Sequence, residues 1–102
     1  MTHHRMGKND HATAQAALNK LLDHYRHQYS VIARRLGVQR QVVYGWRQRG
    51  FISAPAAAAI HGWGIPGVTR ERLRPDVMDW EWQIKRATEV LGYEVASTRK
   101  AG

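Results

Sequence analysis

With 102 residues, the chain can bury one core of modest size but is too short for two independent domains. It contains no cysteine, which excludes disulfides, thiolate catalysis and sulfur-ligated zinc sites. The formal net charge of +8 favours a polyanionic partner, and the longest apolar run, residues 54–60, is far too short to span a bilayer.

The first predicted element is a helix over residues 10–26, preceded by a disordered lead-in over residues 1–9 that lacks apolar periodicity. Asn9 or Asp10 is expected to cap this helix. Apolar residues recur at steps of three and four on one of its faces, which predicts that the helix packs into the core. These residues are Ala14, Leu18, Leu21, Leu22 and Tyr25.

Two short helices are predicted on either side of Gly37. The first covers residues 30–36, with Ser30 as its cap, and the glycine tolerates the left-handed conformation that a sharp exit requires. The second covers residues 39–49 and stops at another glycine. Because Ala33 is small, the two helices can cross closely, which predicts a helix-turn-helix. An ordinary helical hairpin with a glycine corner is the alternative.

The second helix of this pair has two different sides at about 100° of rotation per residue. One side, predicted to face the core, carries Gln39, Val42, Val43 and Trp46. The other side carries Gln41, Tyr44 and Gln48, with Arg40 and Arg47 along one margin. Amide groups can bond adenine, arginine can bond guanine and an aromatic ring can contact the thymine methyl group, so this side is suited to reading base edges.

The charge distribution points to the same part of the chain. Residues 24–70 contain seven arginines and no aspartate or glutamate, whereas residues 71–94 contain six acidic and four basic residues. A segment of one sign beside a mixed segment predicts a focused electropositive surface around the helix-turn-helix. A generally basic, solvated surface is the alternative.

The next two predicted elements are short. Ser53 opens a proline-containing helix that breaks up in the glycine-rich residues 62–67, and Trp63 is expected to pack beneath that loop. Thr69 is expected to cap one more helical turn over residues 70–73.

The segment over residues 77–91 fits two patterns. A stripe with helical spacing consists of Trp80, Ile84, Ala87 and Leu91. The alternation of Trp80, Trp82 and Ile84 is that of a strand, and of the two we favour the helix. We expect Trp80, Trp82 and Ile84 to form a dimer interface, and packing of these side chains on the same subunit is the alternative.

Two motifs are informative together. The first, "LGVQRQVVYGW" (residues 36–46), is a helix ending in Leu-Gly-Val followed by a polar helix ending in Trp, and the second, "GVTRERLRPDV" (residues 67–77), contains Leu-Arg-Pro-Asp. With these motifs, residues 14–77 resemble the Cro-like phage repressors, in particular the small regulators known as YdaS-type antitoxins. The resemblance implies an all-α, lambda-repressor-like bundle of five helices, here residues 10–77, that binds DNA as a dimer. Residues 78–102 form a C-terminal extension beyond the usual end of the family.

Two positions depart from the family pattern. Gln39 stands where such proteins often place a serine or threonine cap, and loss of that cap costs about 1 kcal/mol. Gly45 lies inside the helix that would read DNA, where glycine costs up to about 1 kcal/mol relative to alanine. A glycine at this position can also allow the close approach of a phosphate.

Together, these features predict a sequence-specific DNA-binding transcriptional regulator, a repressor of phage or prophage that binds a pseudopalindromic operator as a dimer. Base reading is assigned to Arg40, Gln41, Tyr44 and Gln48. Phosphate contacts are assigned to Arg26, Tyr29, Ser30, Arg47 and Arg49. Such a protein would act in the cytoplasm of a bacterial host, on the nucleoid. The alternatives are a phage DNA-packaging factor of the small terminase subunit type and an antitoxin that binds a toxin through its C-terminal tail.

No enzymatic activity, cofactor or metal is expected. The sequence lacks a Ser-His-Asp order, a glycine-rich phosphate loop and paired carboxylates at catalytic spacing. His24 and His27 have helical spacing, but no cysteine or carboxylate motif completes a set of metal ligands around them.

Overall fold

A computed structural model of the protein describes residues 7–95, which contain six helices and no strand. The helices are α1 (Lys8–His24), α2 (Tyr29–Leu36), α3 (Arg40–Arg49), α4 (Ala54–His61), α5 (Arg70–Leu73) and α6 (Trp80–Glu89). The predicted all-α fold is confirmed, as is the preference for a helix after residue 77. The sixth helix lies in the predicted C-terminal extension. None of these helices is both long enough and apolar enough to cross a bilayer.

Four of the predicted helix boundaries are confirmed by their geometry. Gly37 and Gly50 end α2 and α3 with φ angles of 87° and 88°, in the left-handed region that glycine reaches without strain. The Ser53 hydroxyl accepts a hydrogen bond from the Ala56 N–H at 3.3 Å and so caps α4. At α5, the Thr69 hydroxyl accepts from the N–H of the third helical residue at 3.2 Å.

The predicted caps of the first two helices are wrong. The Gly7 carbonyl already accepts a hydrogen bond from the His11 N–H at 2.9 Å, so α1 begins at Lys8, and Asn9 and Asp10 lie inside its first turn. The first turn thus takes in the end of the predicted lead-in, and residues 1–6 lie outside the described residues. Ser30 is the second residue of α2, because the chain turns sharply enough after α1 for the helix to start one residue earlier.

That sharp turn depends on two consecutive residues in the left-handed region. Arg26 and His27 have φ angles of 54° and 58°, which side chains with a Cβ rarely adopt. The His27 N–H donates to the Leu22 carbonyl at 2.7 Å, and its imidazole Nε2 lies 2.9 Å from an oxygen of Asp23. These bonds hold the turn and set the direction in which α2 leaves α1.

The core is built around α4, which is buried along almost its whole length. Its alanines are small enough for α2, α5 and α6 all to pack against it, and α6 makes the most extensive of these contacts. The other helices supply larger side chains, which each contribute about 1.5–3 kcal/mol when fully buried. The largest of them are Leu18, Leu21, Leu22, Ile32, Val43, Trp46 and Leu73.

The Leu-Arg-Pro-Asp sequence joins two loops. Arg74 donates two hydrogen bonds to the carboxylate of Asp76, at 2.9 and 2.7 Å, and a third to the Ile52 carbonyl at 3.1 Å. The Asp76 side chain is only 5% exposed, and Leu73 beside it is buried. This motif therefore fastens the end of α5 to the loop between α3 and α4.

Candidate nucleic-acid interface

Helices α2 and α3 pack closely around a three-residue turn. The Ala33 carbonyl accepts from the N–H groups of Gly37 and Val38, at 2.7 and 2.9 Å, which ends α2 and starts the turn. Ala33 itself is buried, and α2 packs on α3. The small side chain leaves the space that the close crossing needs, so α3 is held at a fixed position on the core.

One side of α3 is buried and the other faces outwards. Trp46 is 1% exposed and Val43 is fully buried, whereas the predicted base-reading residues Arg40, Gln41, Tyr44 and Gln48 are all exposed. Two residues predicted for the core side, Gln39 and Val42, are exposed as well, and Val42 is 40% exposed. Val42 lies about 100° around the helix from Val43, at the margin of the buried side, where the neighbouring helices decide whether a side chain is covered. It adds an apolar group to the outward surface.

The predicted phosphate-contacting residues that lie outside α3 are at the start of α2 and in the turn before it. Tyr29, at the start of α2, lies with its ring centroid 6.1 Å from that of Tyr44 on α3, so these two assignments fall on one continuous surface. Ser30 and Arg26 are exposed nearby in sequence, in the first turn of α2 and in the turn before it. The N-terminus of α2 has no side-chain cap, which leaves amide groups that suit a phosphate oxygen.

The arginines of the acid-free segment do not all serve this surface. The Arg35 guanidinium lies 4.6 Å from the ring centroid of Trp63 and donates to the Tyr25 hydroxyl at 2.7 Å. The Trp63 ring in turn meets the Tyr25 ring edge-on, at 6.1 Å. Arg35 and Trp63 therefore pack the loop after α4 onto α2. The positive charges on α3 itself are Arg40, Arg47 and Arg49, which are all exposed and flank the outward side at its two margins.

The positive charge of Arg70, the last arginine of the acid-free segment, is paired with the carboxylate of the neighbouring Glu71. Its Nε donates to Glu71 at 2.9 Å, and its backbone N–H donates to Nδ1 of His61 at 3.1 Å. Partial burial raises the pKa of the Glu71 carboxyl, but hydrogen bonds from Arg70 and from its own backbone, with the charges of Arg70 and His61, lower that pKa below its ordinary value overall. Glu71 is thus ionised at neutral pH and marks the end of the positive surface.

Phe51 is a residue that sequence reasoning missed. It follows the glycine that ends α3, and the guanidinium groups of Arg49 and Arg74 lie 5.4 and 5.5 Å from the centroid of its half-buried ring. The edge of His11 approaches the same ring at 6.0 Å. A single aromatic residue next to a helix-ending glycine carries no signal in local spacing, so only the folded chain reveals this cluster.

The three residues assigned to dimerisation do not share one surface. Trp80 and Ile84 are half-buried on the side of α6 that packs on α4, and Arg70 lies over the Trp80 ring. Trp82 is 54% exposed on the opposite side, because residues two apart on a helix differ by about 200°. Val90 lines the same shallow groove as Trp82, and Met78 and Leu91 are further exposed apolar residues before and after α6. Of the three, Trp82 is the most exposed, and the Arg86 guanidinium lies 5.7 Å from its ring centroid.

Between residues 7 and 95, no group of three or more histidine, aspartate or glutamate side chains could hold a metal ion. The chain matches no protein-family model, and no curated protein or solved structure is significantly similar to it. The resemblance to Cro-like repressors therefore rests on the two sequence motifs alone.

Proposed function

We propose that the protein is a sequence-specific DNA-binding transcriptional regulator that places α3 in the major groove. The observation that carries this proposal is the outward side of α3. It presents amide, guanidinium and phenol groups, within a segment free of carboxylates, on a helix anchored from behind by Val43 and Trp46. A rigid helix with this combination of groups matches the width and the hydrogen-bonding pattern of the groove.

Each part of the surface has a separate role in this proposal. Gln41 and Gln48 lie closest to the middle of the outward side and read adenine, Arg40 reads guanine, and Tyr44 meets the thymine methyl group. The exposed part of Val42 adds a second apolar contact for thymine. The positioning contacts to phosphate come from Arg26, Tyr29, Ser30 and Arg47.

We propose further that the protein acts as a phage or prophage repressor, binding a pseudopalindromic operator as a dimer. A two-fold symmetric dimer would read half-sites about 34 Å apart, on one face of the duplex. The exposed Trp82 and its apolar neighbours supply a surface for the second copy. This surface lies on α6, which packs on α4 and leaves the outward side of α3 free for DNA.

Selection of bound sites from random duplexes at near-physiological salt tests this function. We expect one enriched sequence made of two related half-sites, and no enrichment would contradict the proposal. On the enriched duplex, Gln41→Ala or Arg40→Ala should weaken binding by about 1–3 kcal/mol, with little change on random DNA. Gln15→Ala, at an exposed position on α1, is the matched control and should bind both duplexes as the unmodified chain does.

A further inference from the structure

The Arg49 side chain folds back along α3. Arg49 is the last residue of the helix, yet a Cβ built on Gly45, one turn earlier, would lie only 3.3 Å from Nη1 of Arg49. The guanidinium group therefore lies in close contact with position 45, and a β-carbon there would have to displace it by a few tenths of an ångström. Glycine is a poor residue for a helix interior, so its presence here calls for a physical reason such as this one.

This folded position changes which side of α3 carries the charge. By helical rotation Arg49 itself lies on the margin, about 80–100° from Gln41 and Gln48. Gly45 lies only about 40–60° from the same two residues. A guanidinium group lying against Gly45 is thus brought from the margin to the side that carries both amides.

Phe51 holds the guanidinium group from the other direction. The ring is itself fixed, because Arg74 lies on it and is in turn bonded to Asp76 and to the Ile52 carbonyl. Arg49 stacks on this ring at 5.4 Å, in the range of a cation–π contact. The flexible arginine side chain is therefore ordered before any ligand arrives, which reduces the entropy lost on binding.

We propose that Gly45 and Phe51 are positioning residues that hold Arg49 to read a guanine, through a bidentate bond to O6 and N7 in the major groove. This inference rests on the DNA-binding function proposed above. It changes the role of Arg49 from a phosphate contact to a determinant of specificity. Loss of a phosphate contact weakens binding to all DNA sequences equally, whereas loss of a base contact weakens binding mainly to the operator. Arginine suits this role better than lysine, because its planar guanidinium presents two parallel N–H donors to the two acceptors, whereas the ammonium group of lysine is a point charge on a flexible stem.

The first test compares Arg49→Ala and Arg49→Lys on the selected operator and on random DNA. Both variants should lose about tenfold or more on the operator and much less on random DNA. Replacing the contacted guanine by 7-deazaguanine removes N7 and leaves every phosphate, and it should weaken the unmodified chain but not Arg49→Ala. Arg72→Ala, at an exposed position on α5, is the matched control and should leave the operator preference unchanged.

Equal losses on both duplexes, or full rescue by lysine, would make Arg49 a phosphate contact and overturn the inference while leaving the proposed function intact. A chain that prefers no duplex at all would overturn both. The two failures are therefore distinguishable from the same set of binding curves.

The second test addresses the two positioning residues. Phe51→Leu and Gly45→Ala should each weaken operator binding by about two- to fivefold, the range expected for one exposed cation–π contact. Phe51→Tyr keeps the ring and should bind normally. Gly45→Ala should also raise the midpoint of thermal unfolding, because alanine favours the helix, so its weaker binding cannot be ascribed to misfolding.

A double-mutant cycle completes this test. In the Arg49→Ala background, neither Gly45→Ala nor Phe51→Leu should weaken binding further, because the group that they position is gone. If their effects persist there, then Gly45 serves the approach of DNA directly and Phe51 serves the fold alone, and the positioning role is wrong. The positioning role would also be contradicted if Gly45→Ala and Phe51→Leu each bound the operator as the unmodified chain does.

Discussion

Helices α3 and α6 have the same length, and each packs one apolar side inwards, but their outward sides differ. Each has ten residues, and each directs tryptophan inwards, Trp46 in one and Trp80 in the other. The outward side of α3 carries arginine, glutamine and tyrosine without a carboxylate. The outward side of α6 mixes Trp82 with acidic and basic residues. The apolar stripe fixes how each helix packs, and the difference in the outward charges is the reason why we propose DNA as the partner of α3 and a second protein chain as the partner of α6.

The first prediction concerns the inward sides and has the largest expected effect. Trp46→Ala should lower the free energy of unfolding by about 3–5 kcal/mol, because it leaves a cavity in a fully packed core. Trp82→Ala should lower it by less than about 1 kcal/mol, since that ring is mostly in solvent. Urea unfolding measures both values. Similar losses for the two variants would mean that α6 packs differently from this description.

The second prediction sharpens the assignment of the outward side of α6 to protein. Light scattering should give the mass of two chains for the unmodified protein and of one chain for Trp82→Ser, because the exposed ring is removed from the shared surface. Trp80→Ala is the matched control and should keep the mass of two chains while lowering stability. A mass of eight or more chains would instead favour the ring-forming packaging factor, and a monomeric parent chain would contradict dimerisation through Trp82.

The third prediction sharpens the assignment of the outward side of α3 to DNA. Arg47→Ala should reduce the slope of log binding constant against log salt concentration by about 0.9, the value for one lost phosphate contact. Lys85→Ala removes one positive charge from α6 and should leave the slope unchanged. Titrations on one duplex at several salt concentrations give both slopes. An equal reduction for the two variants would show that binding follows net charge and not the position of α3.

The fourth and smallest effect lies at the boundary between the positive and mixed regions. Because the pKa of Glu71 is lowered in the folded chain, its ionised form stabilises the fold above the pKa of the unfolded chain, and that stability is lost as pH falls through the folded pKa. Glu71→Gln should therefore be less stable at neutral pH, by less than about 1 kcal/mol because the side chain is mostly exposed. The difference should vanish in acid, as unfolding curves at several pH values will show. A difference that persists in acid would mean that the carboxylate charge is not the cause.

Local signals in the sequence are sufficient for much of the fold. Gly37 and Gly50 end helices because left-handed backbone carries little strain for glycine, and Ser53 caps α4 because its short side chain brings the hydroxyl within reach of the Ala56 N–H. The burial of Trp46 follows from helical spacing alone. Features of this kind depend on residues within one helical turn of each other, so they can be predicted from the sequence.

The features that sequence reasoning missed depend on contacts across the chain. Arg74 bonds to a carbonyl 22 residues earlier, and no spacing rule connects Arg74 with Ile52. The ring of Phe51 gathers Arg49, Arg74 and His11 from three separate segments. Val42 was assigned to the core by its period, but at the margin of a helix it is the neighbouring helices that decide whether a side chain is covered.

The most direct test of the central claim is to follow backbone amide chemical shifts while the selected duplex is added to the full chain. We predict that the shifts cluster between residues 26 and 50, in α2, α3 and the turn before them, and that the outward side of α6 is unaffected by added DNA. Shifts that cluster on α6, or no shifts at all, would contradict it.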